Sequence, residues 1–195
     1  MRIILASKSP RRKEILSNLN LDFEIITADT DESSDSISPD KLVEELALRK
    51  AQAVKNLLIA QNSYTDDSVI IGCDTVVSKD DIIFGKPKNR ADASDMLKKL
   101  SGDEHKVISG LAVLTKDKTF LSHETTKVYF DKLSTKEIEY YISTGECDDK
   151  AGAYGIQGLA SKFIKGINGC YFNVVGLPVN LLYRMLKKAD IDINI

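Results

Sequence analysis

The sequence predicts an α/β fold with a strand-built core and helices on its faces. Apolar, β-rich runs recur from the first residues to about residue 130, and stretches with helical spacing fall between and after them. Size is the second indication. With 195 residues, 43% hydrophobic and 29% charged, the chain suffices for one sizeable core or for two lobes around a cleft. A single domain over residues 1–195 is expected, since no repeat and no linker divides the chain.

The elements follow in order. "RIILA" at 2–6 is a strand that gives way at once to a helix: Ser9 can cap it, Pro10 suits its first turn, and "RRKEILSNL" repeats apolar residues at helical spacing. "DFEII" at 22–26 is a second strand, and the acidic, polar "ADTDESSDSIS" at 28–38 is a loop. Ser38 and Pro39 open a long helix that runs to Gln61. Two strands come next, "SVIIGCDTVVS" at 68–78 and "DIIFG" at 81–85, followed by the helix "RADASDMLKKL" at 90–100, closed by Gly102. The strands "KVISGLAVLTKD" at 106–117 and "TFLSHETTKVYF" at 119–130 precede a helix over 135–144, closed by Gly145. The glycine-rich "GECDDKAGAYGIQG" at 145–158 is a loop, and "LPVNLLYRMLKKA" at 177–189 is the last helix.

Composition excludes several classes. Net charge is −2 and the pI about 5.8, with Lys and Arg spread through the chain, so there is no nucleic-acid or membrane footprint and any positive site must be local. The three cysteines, Cys73, Cys147 and Cys170, are far apart and form no CxxC pair, which argues against a disulfide framework and against structural zinc. No segment has the apolar length of a signal peptide or a membrane span. A soluble, cytoplasmic protein is expected.

Candidate functional residues stand out where a plain fold would not place them. The first helix begins with exposed N–H groups and the positive end of its dipole, which makes it an anion seat, and Arg11 and Arg12 add forked donors that match phosphate oxygens. The alternative is an ordinary solvated first turn, although two arginines there oppose the dipole. Asp74 interrupts an apolar run that otherwise reads as a buried strand; a buried carboxylate is costly unless it meets a cation or accepts hydrogen bonds. It is a site candidate, or else a carboxylate capping a turn. Lys50 lies four residues from both Leu46 and Val54 on the apolar face of the long helix, where it either faces a ligand or snorkels into water. Lys86 stands between Gly85 and Pro87, which fix its backbone, and turn chemistry alone also explains that pair. His105 has no partner at metal or triad spacing, so a structural hydrogen-bonding role is preferred, and His123 carries no signal. A P-loop, a dinucleotide GxGxxG and a GxSxG elbow are all missing from the sequence.

Taken together, "LASKSPRR", the acidic loop with "DTDES", "LALRKA", "IIGCDTVV", "GKPKN", "LSGDEHKVISG", "DKAGAYGIQG" and "INGCYFNVVGLP" resemble the Maf family of nucleoside triphosphate pyrophosphatases, first named for septum formation, in order from about residue 3 to residue 188. The resemblance implies an inosine-triphosphate-pyrophosphatase-type α/β fold with an elongated mixed sheet, two lobes and a deep cleft. It also implies a homodimer and a divalent cation, Mg²⁺ or Mn²⁺, held by Glu32 and Asp74. By motif, Asp74 corresponds to the proton acceptor, and Ser7, Arg12, Glu32, Lys50 and Lys86 to the polar shell around triphosphate and metal. Arg11, Thr75 and Gln157 match the branch that acts on dTTP and UTP; the branch acting on 7-methyl-GTP typically carries tryptophan in the Arg11 position. The reaction implied is water attack at the α-phosphorus, giving a nucleoside monophosphate and pyrophosphate. Two other readings stay open on sequence: a non-catalytic nucleotide-binding regulator of cell division, and an enzyme whose cellular substrates are modified pyrimidine nucleotides.

Overall fold

In the computed structural model, residues 1–34, 38–80 and 82–193 are described. Strand β1 is Arg2–Leu5 and helix α1 Pro10–Ser17, followed by β2 Phe23–Ile25 and α2 Pro39–Ala60. The middle of the chain forms β3 Ser68–Lys79, β4 Ile82–Phe84, α3 Arg90–Leu100, β5 Glu104–Leu114 and β6 Thr119–Phe130. After α4 Thr135–Ser143 come two 3₁₀ turns, Ala151–Ala153 and Gly158–Phe163, then β7 Ile164–Asn168, α5 Tyr171–Val175 and α6 Val179–Lys188. Residues 35–37 of the expected acidic loop, and Asp81 of the expected strand 81–85, lie outside the described residues.

The strand order is β2-β1-β3-β5-β6-β7, with β4 paired to β3. β1 is parallel to β2 and β3, whereas β4 is antiparallel to β3 and β7 to β6, so the sheet is mixed and the expected fold class is borne out. Local chemistry sets the helix starts as read from sequence. Ser9 accepts from the Arg12 N–H with Pro10 at the first position, Asn89 accepts from Asp92 N–H, and Ser134 and Glu137 form a capping box. Two elements escaped the sequence pattern, β7 and the short α5.

The chain divides into two compact units, each assembled from separate segments. The first comprises Met1–Asp74, Ser109–Glu124 and Gly176–Ile195; the second comprises Thr75–Ile108 and Thr125–Val175. In the first unit, α2 lies on the sheet through Ala47, Ala51, Val54 and Leu58, which meet Ile4, Ile70, Ala112 and Leu114. Glycine makes that approach close: a Cβ on Gly72 of β3 would stand 2.1 Å from the Ala47 carbonyl oxygen, and one on Gly110 of β5 2.2 Å from that of Val43. The second unit has its own core, in which Leu97 and Leu100 of α3 and Ile138 and Tyr141 of α4 pack with Val77, Val128, Phe130 and Phe163. No helix among the described residues is long and apolar enough to cross a membrane, and the three cysteines are free thiols.

Candidate active site

The first unit brings five of the sequence-predicted residues together. β1 pairs with β3 so that Leu5 opposes Ile71 and the Ala6 N–H donates to the Ile71 carbonyl at 2.8 Å. Ser7 therefore emerges beside the segment that carries Cys73 and Asp74. Arg12, one turn into α1, closes this corner: Nη1 donates to Ser7 Oγ at 3.1 Å and to the Cys73 carbonyl at 2.7 Å, while Nε donates to the Gly176 carbonyl at 2.8 Å. The Cys73 thiol donates to that same Gly176 oxygen at 3.3 Å. Arg12 is thus a strut among three chain segments, a role its sequence position did not announce. Arg11, the next residue back, is half-buried in the first turn of α1.

Asp74 lies two residues beyond Gly72, on the same face of β3, and that face meets α2. Lys50, one helical turn beyond Ala47, reaches it: Nζ stands 2.5 Å from Asp74 Oδ1 and 2.8 Å from Glu32 Oε1. The Lys50 and Asp74 side chains are only 18% and 13% exposed, so each charge depends on its partner. Burial opposes the lysine's charge, but Asp74 first and Glu32 next outweigh it and hold its pKa above the ordinary value. The ammonium is therefore charged, and the lysine meets a carboxylate instead of snorkelling into water.

Glu32 is exposed, and its backbone is gripped from α2. Arg49 Nη1 donates to the carbonyls of Asp31, at 3.2 Å, and Ser33; Glu45, paired with Arg49, accepts from Ser34 Oγ at 2.6 Å. The Asp31 carboxylate accepts from the N–H and hydroxyl of Ser33 at 2.9 and 2.7 Å. Arg49 and Glu45 were missed at the sequence level, where an i, i+4 ion pair reads as a solvated helix face.

The second unit carries the other candidates. Thr75 follows Asp74 on β3 and is half-buried, and Lys86 is exposed just after β4. Gln157 is exposed within a loop that the Gly152 N–H ties to the Gly85 carbonyl at 3.0 Å, beside Lys86. Gly152, at φ 67°, packs against Val77, where a Cβ would be 2.8 Å from a methyl group. His105 is structural, as expected: it is buried, with Nε2 2.6 Å from the Tyr154 hydroxyl and its ring edge-on to Phe130. His123, in the first unit, pairs with Glu44 of α2 at 2.7 Å.

A model of the Maf-like protein family matches residues 2–189. The chain belongs to that family. Among curated proteins this Maf-like chain is 52% identical over 190 residues to the dTTP/UTP pyrophosphatase of Alkaliphilus metalliredigens, covering 96% of this chain and 95% of the relative. It is 48% identical over 197 residues to the dTTP/UTP pyrophosphatase of Clostridium botulinum strain Kyoto, with 98% of each covered. The protein of the same name from Bacillus cereus AH187 is 46% identical over 194 residues, covering 99% of this chain and 98% of the relative. Among solved structures, the Staphylococcus aureus Ham1 protein superposes with a TM-score of 0.55 at 13% identity, over 97% of this chain and all of the other, and shares the fold.

The donor chemistry in the Maf-like chain fits a hard divalent cation that arrives with phosphate. Two carboxylates, Asp74 and Glu32, surround one positive charge, and Mg²⁺ typically takes one or two protein carboxylates plus substrate phosphate oxygens and water. Among the described residues, no group of three or more His, Cys, Asp or Glu side chains is placed to hold a metal ion.

Proposed function

We propose that this protein is a cytoplasmic nucleoside triphosphate pyrophosphatase that hydrolyses dTTP and UTP to the monophosphate and pyrophosphate. The observation that carries this reading is the Lys50–Asp74–Glu32 cluster beside the Ser7–Arg12 corner, in a chain about half identical to proteins of that name. Asp74 and Glu32 are the residues that would hold Mg²⁺ or Mn²⁺. Bound there, the cation would supply Lewis-acid activation of water at neutral pH. Asp74 accepts the proton of the attacking water. Lys50, released from Asp74 as substrate enters, moves its charge onto the phosphate oxygens together with Lys86, and so neutralises the leaving pyrophosphate. Ser7, the N-terminal N–H groups of α1 and the arginines Arg11 and Arg12 supply further phosphate donors.

Gln157 reads the pyrimidine edge with its amide, which can donate and accept at once, aided by Thr75 and Arg11. A homodimer belongs to this reading as well, and light scattering of the purified chain checks it. The decisive experiment is a panel of natural and modified nucleoside triphosphates, assayed for pyrophosphate release with and without Mg²⁺ and Mn²⁺, in ¹⁸O-labelled water. Preference for dTTP and UTP is expected, with label in the monophosphate. Label in pyrophosphate, or preference for GTP or 7-methyl-GTP, refutes the assignment.

A further inference from the structure

Gln157 is exposed in the middle of the short stretch Gly155–Leu159, and a free peptide of that length would sample many conformations before meeting a base. The far end of the stretch is held by a carboxylate that a buried tyrosine supports. The Tyr141 hydroxyl donates to Glu146 Oε1 at 3.3 Å. At the far end the Leu159 N–H donates to the other oxygen of that carboxylate, Glu146 Oε2, at 3.0 Å. The support is firm: Tyr141 is fully buried in α4, edge-on to Phe163 with ring centroids 5.6 Å apart. Lys150 completes the enclosure by donating to the Glu146 carbonyl at 2.5 Å, with its aliphatic stem along Gly155.

Glycines stand on both sides of Gln157, and at Gly158 the left-handed backbone itself favours glycine. A Cβ at Gly158, which adopts φ +77°, would stand 2.7 Å from Glu146 Oε2, and one at Gly155 would stand 3.0 Å from the Lys150 stem.

We propose that Glu146 is a positioning residue for base selection: its carboxylate, accepting from the Leu159 N–H and the Tyr141 hydroxyl, fixes the peptide around Gln157 so that the amide meets the pyrimidine edge in one orientation. This rests on the reading of Gln157 given above. Glu146 acts through hydrogen bonds, not through charge, so glutamine, which keeps an acceptor for Leu159 N–H, preserves the effect and alanine abolishes it.

The test compares kcat/KM for dTTP and GTP in the purified full-length protein. Glu146→Ala is expected to lower the dTTP-to-GTP ratio about tenfold, chiefly through a higher KM for dTTP, whereas Glu146→Gln keeps the ratio. Placed on Gln157→Ala, Glu146→Ala should lower the ratio no further, since both changes remove the same contact. An equal loss on both nucleotides, a Gln variant as impaired as the Ala variant, or a full further fall in the Gln157→Ala background overturns the positioning role. Should Glu146→Ala fail to fold, Tyr141→Phe takes its place: it removes the hydroxyl that holds the Glu146 carboxylate, a fall in the same ratio is expected, and an unchanged ratio overturns the proposal. Gln157→Ala alone separates the two levels of the argument. If it leaves the ratio unchanged, the reading of Gln157 fails and Glu146 with it; if it lowers the ratio while Glu146→Ala does not, only the role of Glu146 fails.

Discussion

Replacing Gly72 by alanine adds one methyl group where α2 rests on β3. The added Cβ would stand 2.1 Å from the Ala47 carbonyl oxygen and 2.9 Å from the Ala51 Cβ, and ordinary contact begins at 3.4 Å. The obstacle at Ala47 is backbone, so no rotamer change relieves it and the helix must withdraw by roughly an ångström. Overpacking of this kind costs about 1–3 kcal/mol. For a chain of this size about 2 kcal/mol lowers Tm by roughly 4–8 °C. Lys50 sits one turn beyond Ala47 and Asp74 two residues beyond Gly72, so the same withdrawal misaligns their 2.5 Å contact. A displacement of about 1 Å in a catalytic constellation can cost up to ~100-fold in rate, and kcat for pyrophosphate release should fall about ten- to a hundred-fold at a temperature where the variant stays folded. Gly166→Ala is the matched control, because its Cβ would meet nothing within 4 Å. Thermal melts followed by circular dichroism, with initial rates at saturating dTTP, decide the matter. A Gly72→Ala protein that melts with the Gly166→Ala control and keeps its rate refutes the argument that glycine sets the helix–sheet distance at the site.

Three further outcomes are expected. Asp74→Asn should fold, since Lys50 keeps its contact with Glu32 at 2.8 Å, and should lose about 10²- to 10⁴-fold in kcat; retention of more than about a tenth of the wild-type rate removes Asp74 from the role of proton acceptor. Arg49→Ala, which releases the carbonyls of Asp31 and Ser33 on either side of Glu32, should raise the Mg²⁺ concentration needed for half-maximal rate about tenfold, and an unchanged metal titration counts against that clasp. Burial holds the His105 pKa at about 4, below its ordinary 6.5, so the unfolded chain binds the extra proton. Stability from this group is complete above pH 6.5 and declines as pH falls toward 4, by about 2 kcal/mol at pH 5. Melting temperatures from pH 7.5 to 5 should show the decline in the wild type and lack it in His105→Gln, which can still bond the Tyr154 hydroxyl; parallel profiles contradict the assignment.

Legibility in the sequence followed the range of the interactions. Helix α3 occupies the bounds its sequence sets because both ends are decided locally, by the Asn89 cap and by Gly102 at φ 74°. Strand β7 was not legible: Lys165 and Gly166 interrupt its five residues, and it is completed by pairing with β6 across a register shift at Tyr129/Phe130. The site divides in the same way. Asp74 and Lys50 showed as charges within apolar patterns, a local signal. Arg12 read only as a phosphate donor, because its bracing role needs the Gly176 carbonyl, which the fold alone brings to it. Glu146 gave no signal, since its bonds to Leu159 and Tyr141 form only once the loop has turned back on α4. The meeting of Lys50 with Asp74 lay between these extremes. Gly72 breaks an otherwise continuous apolar strand two residues before the carboxylate, and Ala47 stands three residues before the lysine. A glycine facing an alanine is what lets helix and strand approach closely, and from that contact one step along each element leads to a side chain of opposite charge.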